Sequence, residues 1–350
     1  MLNDIFNPGY RSRIPLLAVF AVLLLAAVFC AGWFFGEQYA AARITPRSPE
    51  LRMGEGNFGY RYINPLLACS GADNPIDDRE LRPFKDKVVQ LIESRKKQGL
   101  VSDVSMQFQE MDNGSMFTVN ADDRFAPASL LKVPYMIAYF KWAELKPAIL
   151  KRKIIFDKSM NDLNDMQNFK PAQIMERGKS YTIDDLIFRA ITFSDNNALY
   201  LLGKYIPVEM LHRTYNDLGV PYPGTEGHEE LSISQYASFF RMLFNASYLT
   251  REFSEKALTY LAEPDFPMGI QAGVPDKIIV AQKFGERIMG DQGEIKQLHD
   301  CGIIYYPSHP YLLCIMTSGA SFDPLVGMIR DISHLVYQEI DSQYRNRPAS

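Results

Sequence analysis

The period of the hydrophobic positions changes along the chain and divides it into three regions. Residues 14–35, "IPLLAVFAVLLLAAVFCAGWFF", run for 22 positions without a charge. Residues 37 to about 80 hold Arg, Pro, Gly, Asn and Asp without sustained periodicity, and helical and strand periods alternate from there onward. We therefore expect an apolar segment within 1–36, a linker over 37–80 with one short strand at "YRYINPLLAC", and a folded domain over 81–345.

The folded domain begins with a helix and a hairpin. "LRPFKDKVVQLIESRKKQG" places its apolar residues on one helical face, and Gly99 is a natural stop. Asn113-Gly114 then separates two alternating runs, which predicts a tight hairpin turn.

The middle of the domain reads as helical and its end as strands. We expect N-caps at Thr182, Ser234 and Thr250. "KIIVAQKFG", "IKQLHDCGIIYY" and "YLLCIMTSG" then predict three strands, followed by a closing helix with one apolar face. This order predicts a two-lobed α+β fold, in which an antiparallel sheet from both chain ends is covered by helices and a central lobe is all-helical.

The apolar segment at 14–35 is long enough to cross a bilayer as a helix. An uncleaved membrane anchor is the preferred interpretation, because a cleaved signal peptide has a shorter apolar stretch. "AAAR" at 40–43 keeps cleavage open as the alternative. Basic residues flank the segment on both sides, so the positive-inside rule does not decide its orientation.

Composition and cysteine count narrow the function classes. A net charge of −4 carries no basic excess, which argues against a nucleic-acid partner. Four cysteines in 350 residues do not make a disulfide framework. Cys301 and Cys314 fall on two strands that are expected to pair, so a bridge is conceivable, but two buried apolar thiols are the preferred interpretation.

Candidate chemistry begins in "FAPASLLKVPYMIAYF", where Ser129 and Lys132 stand among apolar residues. Residues three apart share a helix face, so the hydroxyl and the amine are expected side by side near a helix start. Burial lowers the pKa of an unpaired lysine, and a neutral amine can activate a serine. A lysine that extends from a core helix to solvent is the ordinary alternative.

Two further motifs change the interpretation. Ser194-Asp195-Asn196 interrupts two helical patterns, and Lys283-Phe284-Gly285 ends a Val- and Ile-rich strand. Alone, they would be an interhelical turn and an edge-strand lysine. In this order and on these elements, however, Ser-x-x-Lys, Ser-Asp-Asn and Lys-x-Gly resemble the penicillin-recognising serine enzymes, and most closely the class A β-lactamases. An Ala-Gly-x-Pro in "GIQAGVPDKIIVAQKFG" adds to this resemblance, which covers roughly residues 81–340.

The resemblance implies a role for each motif. Ser129 is the implied nucleophile and Lys132 its base or part of a proton relay. Ser194 is implied to give a proton to the leaving nitrogen, with Lys283 tuning that hydroxyl. Asn196 is implied to bind Lys132 and the substrate amide, while Asp195 holds its own loop.

The end of the Lys-x-Gly motif is implied to bind substrate through its backbone. The N–H groups of Ser129 and Glu286, the residue after Gly285, are the expected oxyanion hole. The hydroxyl of the family's Lys-Thr-Gly is replaced by Phe284, which puts recognition of a substrate carboxylate in doubt, and Arg287 is the candidate to compensate.

A second departure concerns deacylation. Class A enzymes carry a loop glutamate, followed four residues later by Asn, that activates the deacylating water. "GVPYPGTEGHEELSIS" lacks this pattern, and Glu226, Glu229 and Glu230 are candidates by position only. Without that glutamate an acyl-enzyme could persist.

The resulting prediction is a membrane-anchored serine hydrolase, acylated at Ser129 by β-lactam or related acyl-amide substrates, without metal or organic cofactor. A D,D-peptidase or penicillin-binding-like enzyme with slow deacylation is one alternative, and a non-catalytic binding or sensor relative is another. The expected partners are a small-molecule or peptide substrate and the membrane, with the domain outside the cytoplasm. Scattered histidines and the absence of Gly-x-Ser-x-Gly argue against a metal hydrolase and a Ser-His-Asp enzyme.

Overall fold

A computed structural model describes residues 59–65, 78–223 and 229–345. Within these ranges the chain forms eight α-helices and a five-stranded sheet with two small two-stranded pairings. The helices are α1 (Asp78–Lys97), α2 (Lys132–Leu145), α3 (Ile183–Thr192), α4 (Asn196–Tyr205), α5 (Val208–Asp217), α6 (Ile233–Phe244), α7 (Arg251–Leu261) and α8 (Phe322–Tyr344). The strands are β1 (Asp103–Glu110), β2 (Met116–Val119), β3 (Arg124–Phe125), β4 (Lys153–Ile155), β5 (Ser180–Thr182), β6 (Leu231–Ser232), β7 (Val280–Met289), β8 (Ile295–Ile304) and β9 (Tyr311–Gly319).

The main sheet is antiparallel and joins both ends of the domain. Its order is β2-β1-β9-β8-β7, so the last strand of the chain lies in the middle of the sheet. All nine residues of β9 are buried, and they alternate between two hydrophobic cores. Leu312, Cys314 and Met316 face the core shared with the helical lobe, whereas Leu313 and Ile315 face the core under α1 and α8. The predicted α+β architecture is confirmed.

Helix ends in the central lobe follow side-chain caps. The Thr182 hydroxyl accepts from the Asp185 N–H at 3.1 Å to begin α3, and Thr250 caps α7 in the same way. The expected cap at Ser234 is wrong, because Ser232 begins α6 in a capping box with Gln235. Ser232 also ends the short strand β6, so the chain turns two residues earlier than the apolar pattern indicates.

The short strand expected at 60–69 is not formed over its described part, residues 60–65. Backbone N–H groups of Arg61, Tyr62 and Ile63 instead donate to the Glu255 carboxylate at 2.7–3.1 Å. A carboxylate on α7 therefore takes the hydrogen bonds that a neighbouring strand would otherwise accept. The remainder of this stretch, 66–69, lies outside the described residues.

The predicted anchor at 14–35 lies outside the described residues as well. None of the helices in the described ranges combines the length and the apolar character needed to cross a bilayer. The preferred interpretation of two buried thiols is wrong, because Cys301 and Cys314 are paired across β8 and β9 and joined as a disulfide.

Candidate active site

Ser129 lies where the chain turns from the sheet into the central helix. It sits in a 3₁₀ turn, Ala128–Leu131, that leads directly into α2 at Lys132. Pro134 falls in the first turn of α2, where its missing N–H removes no helical hydrogen bond. Ala128 has a φ of 49°, a strained conformation for a residue with a Cβ, immediately before Ser129. Ser129 is partly exposed, whereas the helix behind it is buried.

Lys132 is almost wholly buried and its amine contacts two of the three motifs. Its Nζ lies 2.7 Å from Ser129 Oγ, 2.7 Å from Asn196 Oδ1, 2.8 Å from the Ser194 carbonyl and 3.1 Å from Ser194 Oγ. Burial lowers the pKa of Lys132 to about 7, although the charges of Asp195 and Glu286 oppose that shift. A substantial fraction of the amine is therefore neutral near pH 7 and can accept the Ser129 proton.

The Ser194-Asp195-Asn196 loop connects α3 to α4 and points its polar groups in two directions. Ser194 has a φ of 54°, which turns its hydroxyl and its carbonyl toward Lys132. Asp195 caps α4, because its Oδ1 accepts from the N–H groups of Asn197 at 2.8 Å and Ala198 at 3.3 Å. Asp195 therefore holds its own loop, and burial raises the pKa of its carboxyl.

Lys283 approaches the same serine from the sheet. Its Nζ lies 2.9 Å from Ser194 Oγ and 2.8 Å from the Phe284 carbonyl. Burial, and then the neighbouring Lys132, lower the pKa of Lys283 well below its usual range. The Ser194 hydroxyl thus stands between two buried amines, which is an arrangement suited to passing a proton.

Gly285 brings β7 against the turn that carries Ser129. A Cβ at this glycine would lie 3.0 Å from the Leu130 nitrogen and 3.1 Å from the Pro127 carbonyl oxygen. These are backbone atoms that cannot move aside without displacing Ser129. The oxyanion hole expected from the N–H groups of Ser129 and Glu286 stays a prediction.

Phe284 does not replace the function of a hydroxyl. Its ring stacks on Phe266 with centroids 4.1 Å apart, and it meets Phe169 and the Lys283 amine. Arg287, the candidate to compensate, is exposed on β7.

The segment Leu163–Phe169, which we call the strap, lies beside the Ser194-Asp195-Asn196 loop and is not indicated by any of the three motifs. At one end, Asn164 donates to Asp195 Oδ1 at 3.0 Å and accepts from the Asn196 N–H at 2.7 Å. Gln167 donates to the Ser194 carbonyl at 3.0 Å. The strap therefore holds the Ser-Asp-Asn loop from outside.

At its other end the strap reaches β7. The Phe169 N–H donates to Glu286 Oε1 at 2.9 Å, and the Phe169 ring packs edge-on against Phe266, Phe284 and Phe322. The strap thus connects the helical lobe to the edge strand β7, beside the cluster around Lys132. Its sequence, "LNDMQNF", has no regular period, so only its polar composition could have indicated a role.

Of the three loop acids, Glu229 and Glu230 are exposed, and Glu226 lies outside the described residues. Glu286, by contrast, has a half-buried carboxyl whose charge acts on both Lys132 and Lys283. The sequence motifs predict only a backbone role for Glu286.

Comparison with solved structures shows the same fold in penicillin-binding and β-lactamase proteins. A variant of PBP-A, described as an acyl-enzyme complex with penicillin G, is 21% identical, and the match covers 75% of this chain and 97% of that chain with a TM-score of 0.61. A class A β-lactamase from Mycobacterium abscessus is 17% identical over 73% of this chain and 99% of its own, with a TM-score of 0.62. A β-lactamase from Chitinophaga pinensis is 18% identical over 74% and 99%, with a TM-score of 0.63.

The structural similarity to these proteins establishes the fold, and a family model matched by the sequence establishes the family. No curated protein matches the chain. A family model described as "Beta-lactamase enzyme family" matches residues 83–340, well over half of the 350 residues. The chain that carries this lysine-centred serine cluster therefore belongs to the Beta-lactamase enzyme family.

Proposed function

We propose that the protein is a serine acyl-enzyme hydrolase in which Ser129 attacks the carbonyl of a β-lactam or a related acyl-amide. The observation that carries this proposal is the 2.7 Å contact between Ser129 Oγ and the buried Lys132 amine. A base with a pKa near the working pH is both available and strong enough to take the hydroxyl proton.

The contacts support a balanced proton path for acylation. The neutral Lys132 amine takes the Ser129 proton while Oγ bonds to the carbonyl carbon and a tetrahedral intermediate forms. Collapse of this intermediate breaks the carbon–nitrogen bond, and Ser194 donates its hydroxyl proton to the leaving nitrogen. Lys132, 3.1 Å from Ser194 Oγ, then returns its proton to Ser194. The proton that left Ser129 is thereby accounted for on the leaving group.

Among the loop acids that the structure describes, Glu229 and Glu230 are exposed and neither has a desolvated place beside a deacylating water, which supports slow deacylation. We therefore favour penicillin-binding behaviour, in which the acyl-enzyme accumulates, over rapid β-lactam hydrolysis. A short pulse and a long chase distinguish the two, because only a β-lactamase regenerates the free enzyme quickly.

Intact-mass spectrometry after exposure to penicillin G tests the activity itself. We expect a mass increase of one penicillin per chain, lost in Ser129→Ala and retained in the control Ser342→Ala, whose exposed hydroxyl lies near the end of α8. If penicillin G, its methyl ester and a fluorophosphonate all leave Ser129 unmodified, the chain is a non-catalytic relative and the proposal is wrong.

We further propose that residues 14–35 anchor the protein and that the domain faces the outside of the cytoplasm, where cell-wall peptides and β-lactams are met. The length of the apolar segment supports this placement. Protease treatment of intact spheroplasts should degrade the domain. Protection of the domain until the membrane is lysed would refute it.

A further inference from the structure

Glu286 is a carboxylate at the catalytic cleft for which the proposed acylation chemistry has no use. It follows Gly285 on β7, at the point where β7 abuts the turn that carries Ser129. Its charge acts on both catalytic lysines, Lys132 and Lys283. Lys283 also contacts the Ser194 hydroxyl, the proposed proton donor to the leaving nitrogen, so the Glu286 charge acts on a residue that would lie beside the leaving group.

The Glu286 carboxyl faces two backbone N–H groups of the strap: burial raises its pKa, and the N–H groups of Phe169 and Asn168 oppose that shift. Oε1 accepts the N–H of Phe169 from the strap at 2.9 Å. Oε2 is buried and makes no hydrogen bond within the described part of the chain. A buried acceptor without a donor is unfavourable, so a ligand that supplies an N–H or an ammonium group there would be favoured.

A substrate carboxylate at the same place would find no free hydrogen-bond donor on Lys283 or Phe284 and would be repelled by Glu286. The Lys283 amine is already engaged by Ser194 Oγ and the Phe284 carbonyl, and the Phe284 ring has no donor to offer. The like charge of Glu286 then opposes an incoming carboxylate. In a penicillin the carboxylate carbon is two bonds from the leaving nitrogen, so it must lie near Ser194, Lys283 and Glu286.

We propose that Glu286 determines the substrate specificity of the site. The preferred acyl-amide substrates carry a nitrogen donor or a positive charge on the leaving portion, next to the scissile bond. Substrates with a carboxylate at that position react more slowly. This inference rests on the proposed acylation of Ser129. It assigns the substrate class through the side chain of Glu286, independently of the backbone role expected for the same residue.

A matched pair of probes tests the inference. Penicillin G carries a negatively charged carboxylate, and its methyl ester carries a neutral ester larger by one methyl group. Acylation of Ser129 by each is followed by intact mass. We expect the wild type to react at least tenfold faster with the ester than with the acid. Glu286→Gln keeps an acceptor for the strap and removes the charge, so it should reduce this ratio at least tenfold, chiefly by faster reaction with the acid.

The control is Glu294→Gln, which removes one negative charge from the exposed turn between β7 and β8 and should leave the ratio unchanged. A wild-type ratio near one, or the same ratio in Glu286→Gln as in the wild type, overturns the inference while leaving the acylation of Ser129 in place. Failure of both probes and of a fluorophosphonate to label Ser129 overturns the proposed function and this inference together.

Discussion

The proton-accepting role of Lys132 can be tested by moving its pKa. Asn196 Oδ1 lies 2.7 Å from Lys132 Nζ, so Asn196→Asp places a negative charge against the amine without changing the size of the side chain. A carboxylate at such a distance raises the pKa of a neighbouring cation by about 1–3 units. The midpoint for acylation should therefore move from about 7 in the wild type to roughly 8–10 in the variant.

The magnitude at fixed pH follows from the fraction of neutral amine. With a pKa of about 7, half of the amine is neutral at pH 7. With a pKa of roughly 8.5 only about 3% is neutral there, so the acylation rate at pH 7 should fall about 15-fold and recover as the pH rises.

The assay is the rate of Ser129 acylation between pH 5.5 and 9.5, measured by intact mass under single-turnover conditions. The control Asn216→Asp adds the same charge at an exposed position of α5 and should keep the wild-type midpoint. A uniform loss of rate in Asn196→Asp, with an unchanged midpoint, would show that Lys132 is not the group whose deprotonation limits acylation.

Three further predictions concern the scaffold. Ser232→Ala removes a capping box and should lower the free energy of unfolding by about 1 kcal/mol. Ser234→Ala should change the free energy of unfolding by less than about 0.5 kcal/mol. Equal effects of the two substitutions in urea titrations would contradict the assignment of the cap to Ser232. Gly285→Ala places a Cβ 3.0 Å from the Leu130 nitrogen, so it should lower the free energy of unfolding by about 1–3 kcal/mol. It should also abolish the labelling of Ser129 by penicillin G. Labelling at the wild-type level would refute the close approach of β7 to the Ser129 turn. Burial raises the pKa of Asp300 to about 7, so folding takes up a proton between about pH 4 and pH 7. As the pH rises through that window, the wild type should lose up to about 4 kcal/mol of unfolding free energy relative to Asp300→Asn. Parallel curves of unfolding free energy against pH for the two proteins would refute this.

Motifs and long elements could be predicted from the sequence because local chemistry determines them. Lys132 and Ser129 fall together through helical spacing alone, and Thr182 identifies the start of α3 by its own hydroxyl. The strand patterns of β7, β8 and β9 were long and apolar enough to be recognised without knowing their partners.

The features that were missed depend on contacts distant in sequence. Residues 60–65 look like a strand until Glu255, almost two hundred positions away, supplies acceptors for their N–H groups. The strap has no internal hydrophobic pattern, and its course is set by Asp195 at one end and Glu286 at the other. The carboxylate of Glu286 could not be placed until the partners of the strap were known.

The central position of β9 has a consequence for the order in which the protein becomes active during synthesis. β1 pairs along its whole length with β9, and Asp103 meets Ser318 from 215 residues further along the chain. On the ribosome, Ser129 of a nascent chain is therefore made long before β7 can join a complete sheet. Competence for acylation should therefore appear only after β9 has left the ribosome and paired with β1 and β8.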